Sequence, residues 1–174
     1  MKKFIFVLIL FTASAFAQTE QGNIRIGGSS RLGFSNVSFK QPIDSGLSIN
    51  FLSVNIHGGY FFVSNLSFDA GLGLEYSSYS SKDFSGRSTQ VGGDLGFRYY
   101  LPTKFFLGSN FDIIYIFTNS FYYPVYGLNF VVGYAWFLSE KIAFEPSMNY
   151  RLGFIDDKRD NNSLYGQVGI SIHF

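Results

Sequence analysis

Hydrophobic residues alternate with polar or small residues along most of the chain beyond residue 22. The clearest case is the C-terminal stretch 164–174, where Leu164, Val168, Ile170, Ile172 and Phe174 occupy every second position, with a glycine in their row. The intervening positions are mainly polar or glycine. Successive side chains of a strand point to opposite faces, so this pattern predicts a strand with one apolar and one polar face.

The same alternation predicts seven earlier strands. They cover 23–35, 49–61, 66–77, 89–101, 104–116, 125–137 and 141–153. Long connections at 36–48, 78–88, 117–124 and 154–163 alternate with short turns, which predicts antiparallel neighbours joined up and down. We expect irregularities at Phe51, as a bulge or a strand top above the membrane, and at Pro146, as a bulge, because proline lacks a ladder donor.

Charged side chains avoid the apolar rows of the predicted strands, and nine of them fall on the opposite rows. They are Arg25, Arg31, Asp69, Glu75, Asp94, Arg98, Asp112, Glu145 and Arg151. A Lys or Arg facing lipid at mid-membrane costs about 2–4 kcal/mol, so the apolar rows are expected to face lipid. A soluble sandwich or lipocalin-like barrel is disfavoured, because so many charges would lie in its core.

These features together predict an all-β protein with a closed eight-stranded antiparallel up-and-down transmembrane barrel. Eight strands enclose only enough space for side chains. The nine inward charges should therefore pair with one another and fill the bore, since an unpaired buried charge costs several kcal/mol. We expect no continuous water channel and no passage of large solutes.

The N-terminal segment has the features of a secretory signal peptide. Two lysines precede an apolar run that is too short to span a membrane as a helix, and small residues lead up to Ala17. Cleavage is expected between Ala17 and Gln18, giving a leader at 1–17 and a barrel domain at 18–174; a retained membrane anchor is the disfavoured alternative.

The composition argues against nucleic acid as a partner and excludes disulfide bonds. The chain has 13 Lys and Arg and 12 Asp and Glu. Removing Lys2 and Lys3 with the leader leaves 11 basic residues against 12 acidic ones, so the net charge is about −1. This balance argues against nucleic acid as a partner. Cysteine is absent, so no disulfide forms.

The C-terminal strand ending in Phe174, together with the segments HGGYFFVSNLS at 57–67 and FRYYLP at 97–102, resembles the small outer-membrane β-barrel family of the OmpX and OmpA type. The resemblance implies export through the Sec pathway to a Gram-negative outer membrane. It also implies short turns on the periplasmic side and contact with membrane lipid and lipopolysaccharide. Phe174 would be the signal for the barrel-assembly machinery. We expect a monomer without a cofactor.

The two histidines, His57 and His173, are predicted to face inward near the periplasmic end, on strands next to Arg25. They could form a metal site, but a hydrogen-bonded interior pair is the expected arrangement. Some eight-stranded relatives modify lipid A with a histidine near the outer leaflet. The histidines here lie at the opposite end, so no catalytic residue is assigned.

Three functions remain open from the sequence. The leading hypothesis is a non-enzymatic barrel whose extracellular loops serve adhesion, interaction or envelope maintenance, with an unidentified extracellular partner. The first alternative is a narrow pore or carrier for small or hydrophobic solutes. The second, a lipid A-modifying enzyme, is disfavoured by the placement of the histidines. Fold alone does not decide among them.

Overall fold

The computed structural model describes residues 17–32, 48–80, 85–118, 122–155 and 158–174. A short 3-10 turn, Ala17–Thr19, precedes the strands. The strands are β1 Ile24–Leu32, β2 Ser48–Val63, β3 Leu66–Ser80, β4 Ser85–Tyr100, β5 Phe105–Thr118, β6 Tyr122–Tyr134, β7 Trp136–Phe137, β8 Ile142–Ile155 and β9 Lys158–His173.

The strands form one antiparallel sheet that closes on itself. β1 pairs with β2 on one side and with β9 on the other, and β6 pairs with both β5 and β8. The short β7 continues β6 beyond Ala135 and also pairs with β8, so β6 and β7 together make one strand of the barrel. The closed sheet therefore has eight barrel strands, as the sequence predicted.

The pairing of the β6–β7 strand with β8 is interrupted at Tyr134 and Ala135, which the flanking register places opposite Pro146 and Glu145. The backbone polar groups of successive β8 residues point alternately to the two neighbouring strands. The O of Lys141 accepts from His173 in β9, and the O of Ile142 accepts from Leu138 after β7. The backbone N of Pro146, an even number of residues after Ile142, therefore points toward the β6–β7 strand. Proline has no N–H to donate there, which accounts for the missing rungs. Pairing with β9 continues through Pro146↔Val168 without a shift, so the predicted bulge at Pro146 is wrong.

The predicted bulge near Phe51 is also absent, because β2 and β3 stay in one register from Ser48↔Ser80 to Phe61↔Ser67. Register shifts occur instead between Phe61 and Val63 in β2, and between Gly153 and Phe154 in β8.

Most strands extend further toward the long connections than predicted. β3 reaches Ser80, β4 starts at Ser85, β5 reaches Thr118, β6 starts at Tyr122 and β9 starts at Lys158. Ladder hydrogen bonds do not require apolar side chains, so strands continue where the outer face has left the lipid and its apolar alternation stops. The predicted residues 33–35 of the first strand lie outside the described residues.

The predicted facing of the side chains is confirmed along the described strands. Large apolar side chains are exposed on the outer wall, such as Leu72 at 72% and Ile56 at 63% exposure. Aromatic residues lie on this outer row toward both of its ends: Tyr60, Tyr99, Tyr134, Trp136 and Phe174 toward one end, and Tyr76, Tyr115, Tyr126 and Tyr150 toward the other. Arg87, predicted in a loop, is exposed on the outer row of β4 close to the long connection. Within the described residues, no helix is long and apolar enough to cross a membrane.

Both ends of the described chain lie at the end of the barrel that carries the short turns, here called the short-turn end. Ile24 and Phe174 exchange backbone hydrogen bonds of 3.2 and 2.9 Å. Two turn residues there, Asn65 and Lys104, have positive φ angles of 69° and 68°. Asn65 tolerates this left-handed conformation better than most residues do. The opposite end, with the long connections, is called the loop end.

Candidate functional site in the barrel interior

Four inward charges meet across the bore near the short-turn end and form what we call the ion quartet: Arg25, Asp69, Arg98 and Glu145. Arg25 Nη2 lies 2.6 Å from Asp69 Oδ2, and Arg25 Nη1 lies 3.4 Å from Glu145 Oε2. Arg98 bridges the same two carboxylates, with Nε 3.2 Å from Asp69 Oδ2 and Nη1 2.9 Å from Glu145 Oε2. The two positive and two negative charges balance, as a fully desolvated group requires.

Neighbouring hydroxyl groups complete the hydrogen bonding of the two carboxylates. Glu145 Oε1 accepts from Tyr100 Oη at 3.1 Å and from Ser171 Oγ at 2.9 Å. Asp69 Oδ1 accepts from Ser67 Oγ at 2.7 Å. Gly59 leaves the space that Asp69 and Arg25 fill, because a Cβ at position 59 would overlap the Asp69 carboxylate. The quartet is therefore a packed and hydrogen-bonded layer.

An aromatic layer, here called the seal, closes the short-turn end beside the ion quartet. It consists of Phe61, Tyr100, Phe106, Ala135 and Ala143, all 0–2% exposed. The ring of Tyr100 lies 5.7 Å from that of Phe61 and 5.5 Å from that of Phe106. Arg98 places its guanidinium 4.4 Å above the Phe106 ring, which joins the seal to the quartet.

The seal was not predicted from the sequence, although a signal for it was present. Phe61, Tyr100 and Phe106 each occupy an inward position next to a short turn, where the charged row would otherwise continue. Three large apolar residues on the inward row, at two neighbouring short turns, indicate a closed end.

The segment before β1 folds against the seal. His173 Nδ1–H donates to the backbone O of Gln18 at 3.1 Å, and Asn65 N donates to the backbone O of Thr19 at 2.6 Å. Thr19 Oγ1 also donates to Asn65 Oδ1 at 2.5 Å. Gln18 and Thr19 are buried by these contacts. The residue predicted to begin the mature chain thus lies against the short-turn end.

A chain of side-chain hydrogen bonds, here called the amide belt, crosses six barrel strands above the quartet. Asn110 Nδ2 donates to Asp94 Oδ1 at 2.8 Å, and Asn129 Nδ2 donates to Asn110 Oδ1 at 3.1 Å and to Asn149 Oδ1 at 3.3 Å. Asn149 Nδ2 donates to Gln167 Oε1 at 3.2 Å, and Gln167 donates to Ser29. The belt gives the lumen a second polar layer, which the sequence did not reveal.

Two further ion pairs lie in the lumen. Arg31 Nη1 lies 3.0 Å from Glu75 Oε2, and Arg151 Nη2 lies 2.5 Å from Asp112 Oδ1. The guanidinium of Arg31 also lies 4.3 Å from the centre of the Tyr165 ring. Eight of the nine predicted inward charges thus pair as expected.

Asp94 is the exception to the predicted pairing. None of the ion pairs among the described residues includes it, and its carboxylate is held by the Asn110 amide instead. Five inward carboxylates face four guanidinium groups, so pairing one to one leaves one carboxylate over.

The expected hydrogen-bonded pair of His57 and His173 does not form. His173 bonds to Gln18 and, through Nε2 at 3.2 Å, to Ser171 Oγ. His57 Nε2 is buried without a hydrogen-bond partner in the described part of the chain, and it packs over Gly27, where a Cβ would come within 2.6 Å of it. Within the described residues, no group of three His, Cys, Asp or Glu side chains is arranged to hold a metal ion.

A cavity of about 140 Å³ remains within the lumen. Its walls include residues of the amide belt, the ion pairs and His57. One water molecule requires roughly 10–15 Å³ of such cavity volume, so the cavity holds on the order of ten waters. Drug-sized ligands need several hundred Å³, so only a small polar species fits.

Solved structures with the same fold include three outer-membrane proteins. OprG from Pseudomonas aeruginosa aligns with a TM-score of 0.54 at 10% identity, over 89% of this chain and 97% of that one. Ail from Yersinia pestis gives 0.53 at 12% identity, over 88% and 100%. Neisserial surface protein A gives 0.51 at 12% identity, over 87% and 96%. These likenesses are in fold.

No curated protein sequence matches the chain. The family model described as an outer membrane protein beta-barrel domain matches residues 4–174. The match spans all eight barrel strands and the segment before them. With the closed barrel and its apolar outer wall, it shows that the chain belongs to the outer-membrane protein β-barrel domain family.

Proposed function

We propose that this protein is a non-enzymatic barrel of the Gram-negative outer membrane that does not conduct solutes and acts through its loop end. The observation that carries the proposal is the seal with the ion quartet beside it. Buried side chains from β2, β4, β5 and β8 meet in the seal, and Arg98 and Glu145 join across the bore. A solute crossing the barrel would have to displace both layers.

Family membership supports an orientation in the membrane. Outer-membrane barrels have short periplasmic turns and longer extracellular connections. The short-turn end, with the seal and both ends of the described chain, is therefore assigned to the periplasm. Export by the Sec pathway, removal of residues 1–17 and recognition of Phe174 by the assembly machinery are part of the proposal. So are contact with lipid and lipopolysaccharide and a monomeric state.

Two functions at the loop end fit this architecture: adhesion or another interaction, and maintenance of the envelope. Long hairpins support a role there, because β3 extends to Ser80, β4 begins at Ser85, and β8 and β9 run to Ile155 and from Lys158. The positions of the histidines weigh against lipid A chemistry, since His173 contacts the seal and His57 neighbours the ion quartet.

Single-channel recording of the refolded protein in planar bilayers tests the non-conducting bore. We expect no stable open steps from protein whose folded state is verified by its heat-dependent migration on gels. A porin reconstituted in the same way serves as the positive control for insertion. Stable steps from the wild-type protein would refute the proposal and favour the pore alternative.

Replacement of the loop-end connections by short Gly-Ser links tests where the function lies. The replaced protein should still fold and reach the outer membrane. It should fail to restore surface binding and resistance to envelope stress in cells that lack the gene. Full restoration by this variant would contradict the assignment to the loops.

A further inference from the structure

We propose that the interior cavity is a binding site for a small monocation with N–H donors, of which ammonium and methylammonium are the simplest examples. Asp94 and Asn129 would be its ligands. The proposal is independent of the non-conducting bore, because a cation can enter from the loop end while the seal stays closed.

Asp94 supplies a carboxylate that lacks a cationic partner among the described residues. Its Oδ1 accepts from Asn110, and its Oδ2 lies over Gly71, where a Cβ would leave it no room. Both Asp94 and Asn110 line the cavity. A carboxylate held in a protein lumen without a positive charge interacts strongly with any cation that can reach it, because screening there is weaker than in water.

Asn129 supplies an acceptor that no described group satisfies. The residue is only 5% exposed, it lines the same cavity, and its Oδ1 has no hydrogen-bond partner among the described residues. A buried polar atom left in this way costs about 1–3 kcal/mol, so a donor should occupy this position.

The charge of Asp94 explains why the side-chain oxygen of Asn129 is the atom of the amide belt that lacks a hydrogen-bond donor. A carboxylate only accepts, so Asn110 must donate to Asp94 and turn its own Oδ1 toward Asn129. Asn149 likewise presents Oδ1, because its Nδ2 donates to Gln167. Asn129 must therefore direct Nδ2 at both neighbours, which leaves Oδ1 without a donor.

The charge balance around the cavity favours a cation. Glu75, Asp94 and Asp112 line it with Arg31, and Arg151 pairs with Asp112. Among the described residues, three carboxylates and two guanidinium groups leave one net negative charge. The ion quartet adds no net charge, since its two arginines balance Asp69 and Glu145.

The chemistry of the walls selects an ammonium group over a divalent metal ion. Besides the buried Nε2 of His57, the groups left for a ligand are the Asp94 carboxylate and the Asn129 amide oxygen, and the described residues offer no cluster of three metal-ligating side chains. Ca²⁺ takes six to eight oxygen ligands and Mg²⁺ six in a near-ideal octahedron, which one carboxylate and one amide oxygen do not supply. An ammonium ion can donate to both oxygens and to the waters that the cavity has room for.

The test is a titration of the refolded, ¹⁵N-labelled barrel in detergent micelles, followed by the side-chain amide signals of Asn110 and Asn129. Ammonium chloride is the probe. Tetramethylammonium chloride at equal ionic strength is the control, because it carries the same charge but has no N–H to donate. We expect saturable shifts with ammonium alone, and contacts between ammonium protons and these amides.

Two variants locate the site. Asp94→Asn keeps the shape and removes the charge, and should weaken binding roughly ten- to a hundredfold, as expected for a hydrogen bond to a charged group. Gly71→Ala should also weaken binding, because its methyl group displaces the Asp94 carboxylate. Gly58→Ala is the matched control, since the nearest atom to its added Cβ is 3.7 Å away.

Several results would overturn the proposal. Equal shifts with both salts would show an effect of ionic strength, and the absence of saturable shifts would show that the cavity holds only water. If the folded Asp94→Asn and Gly71→Ala variants bind ammonium with wild-type affinity, the ion does not bind at Asp94. If neither variant folds, the wild-type protein alone tests the proposal. The absence of contacts between ammonium protons and the side-chain amides of Asn110 and Asn129 would then contradict it.

Discussion

Arg98 Nη1 on β4 lies 2.9 Å from Glu145 Oε2 on β8, and two barrel strands, β5 and β6, separate β4 from β8 around the wall. The pair therefore crosses the bore and does not follow the sheet. Arg25 reaches the same Glu145 oxygen from β1, on the other side of β9. Glu145 thus connects opposite sides of the barrel and is the acceptor on which the ion quartet depends.

Glu145→Gln should strongly destabilise the barrel. The change leaves Arg25 and Arg98 with Asp69 as their only carboxylate among the quartet, and breaking a buried ion pair costs about 3–5 kcal/mol. The free energy of unfolding measured by urea titration in lipid vesicles should fall by that order.

Glu75→Gln is the matched control for Glu145→Gln. Its pair with Arg31 is more exposed than the quartet, so solvent screens the interaction and the cost should be smaller. Equal losses in the two variants would show that the quartet is no more important than a partly exposed ion pair.

Phe106→Ala should open the seal and lower stability. The ring is 1% exposed and packs against Tyr100 and the Arg98 guanidinium, and removal of a buried Phe side chain costs about 3–5 kcal/mol. Urea titration measures the loss. The control is Phe105→Ala, which removes an exposed ring from the outer wall one residue earlier in the chain. Its loss in free energy of unfolding should be clearly smaller.

His173→Phe should release the N-terminal segment while leaving the ring packing in place. The ring of His173 lies 5.2 Å from that of Phe137, and a phenyl group can keep this contact. The hydrogen bond from Nδ1 to Gln18 O is lost. Amide exchange at Asn65, whose N–H donates to Thr19 O, should become faster.

Ile172→Val, one position earlier and on the outer wall, is the control for His173→Phe. Exchange at Asn65 should match the wild-type rate in this variant. An unchanged rate in His173→Phe as well would mean that Gln18 and Thr19 are held by other contacts.

Leu72→Arg should hinder insertion into lipid. Leu72 is among the most exposed apolar side chains and lies in the middle of β3, where an arginine costs about 2–4 kcal/mol. The fraction of protein that folds into vesicles, measured by migration on gels, should fall. Leu138→Arg, in a short turn, should fold nearly as well as the wild type, because the cost approaches zero near the interface. Similar losses at both positions would argue against lipid around β3.

The sequence by itself determined the strands, their number and the face on which each side chain lies. The physical reason is local: a strand alternates its side chains with a period of two, and lipid excludes charge from one of the two faces. Arg31, Glu75, Asp94 and Arg98 could therefore be assigned to the bore without knowledge of their partners.

The tertiary structure alone decided which inward groups meet. Arg25 pairs with Asp69 and Glu145, Asp94 stays without a guanidinium, and His57 and His173 remain apart. These outcomes depend on the stagger between neighbouring strands, which sets the height of each side chain in the barrel. No alternation within one strand encodes that height, so the quartet, the seal, the amide belt and the cavity follow only from closure of the sheet.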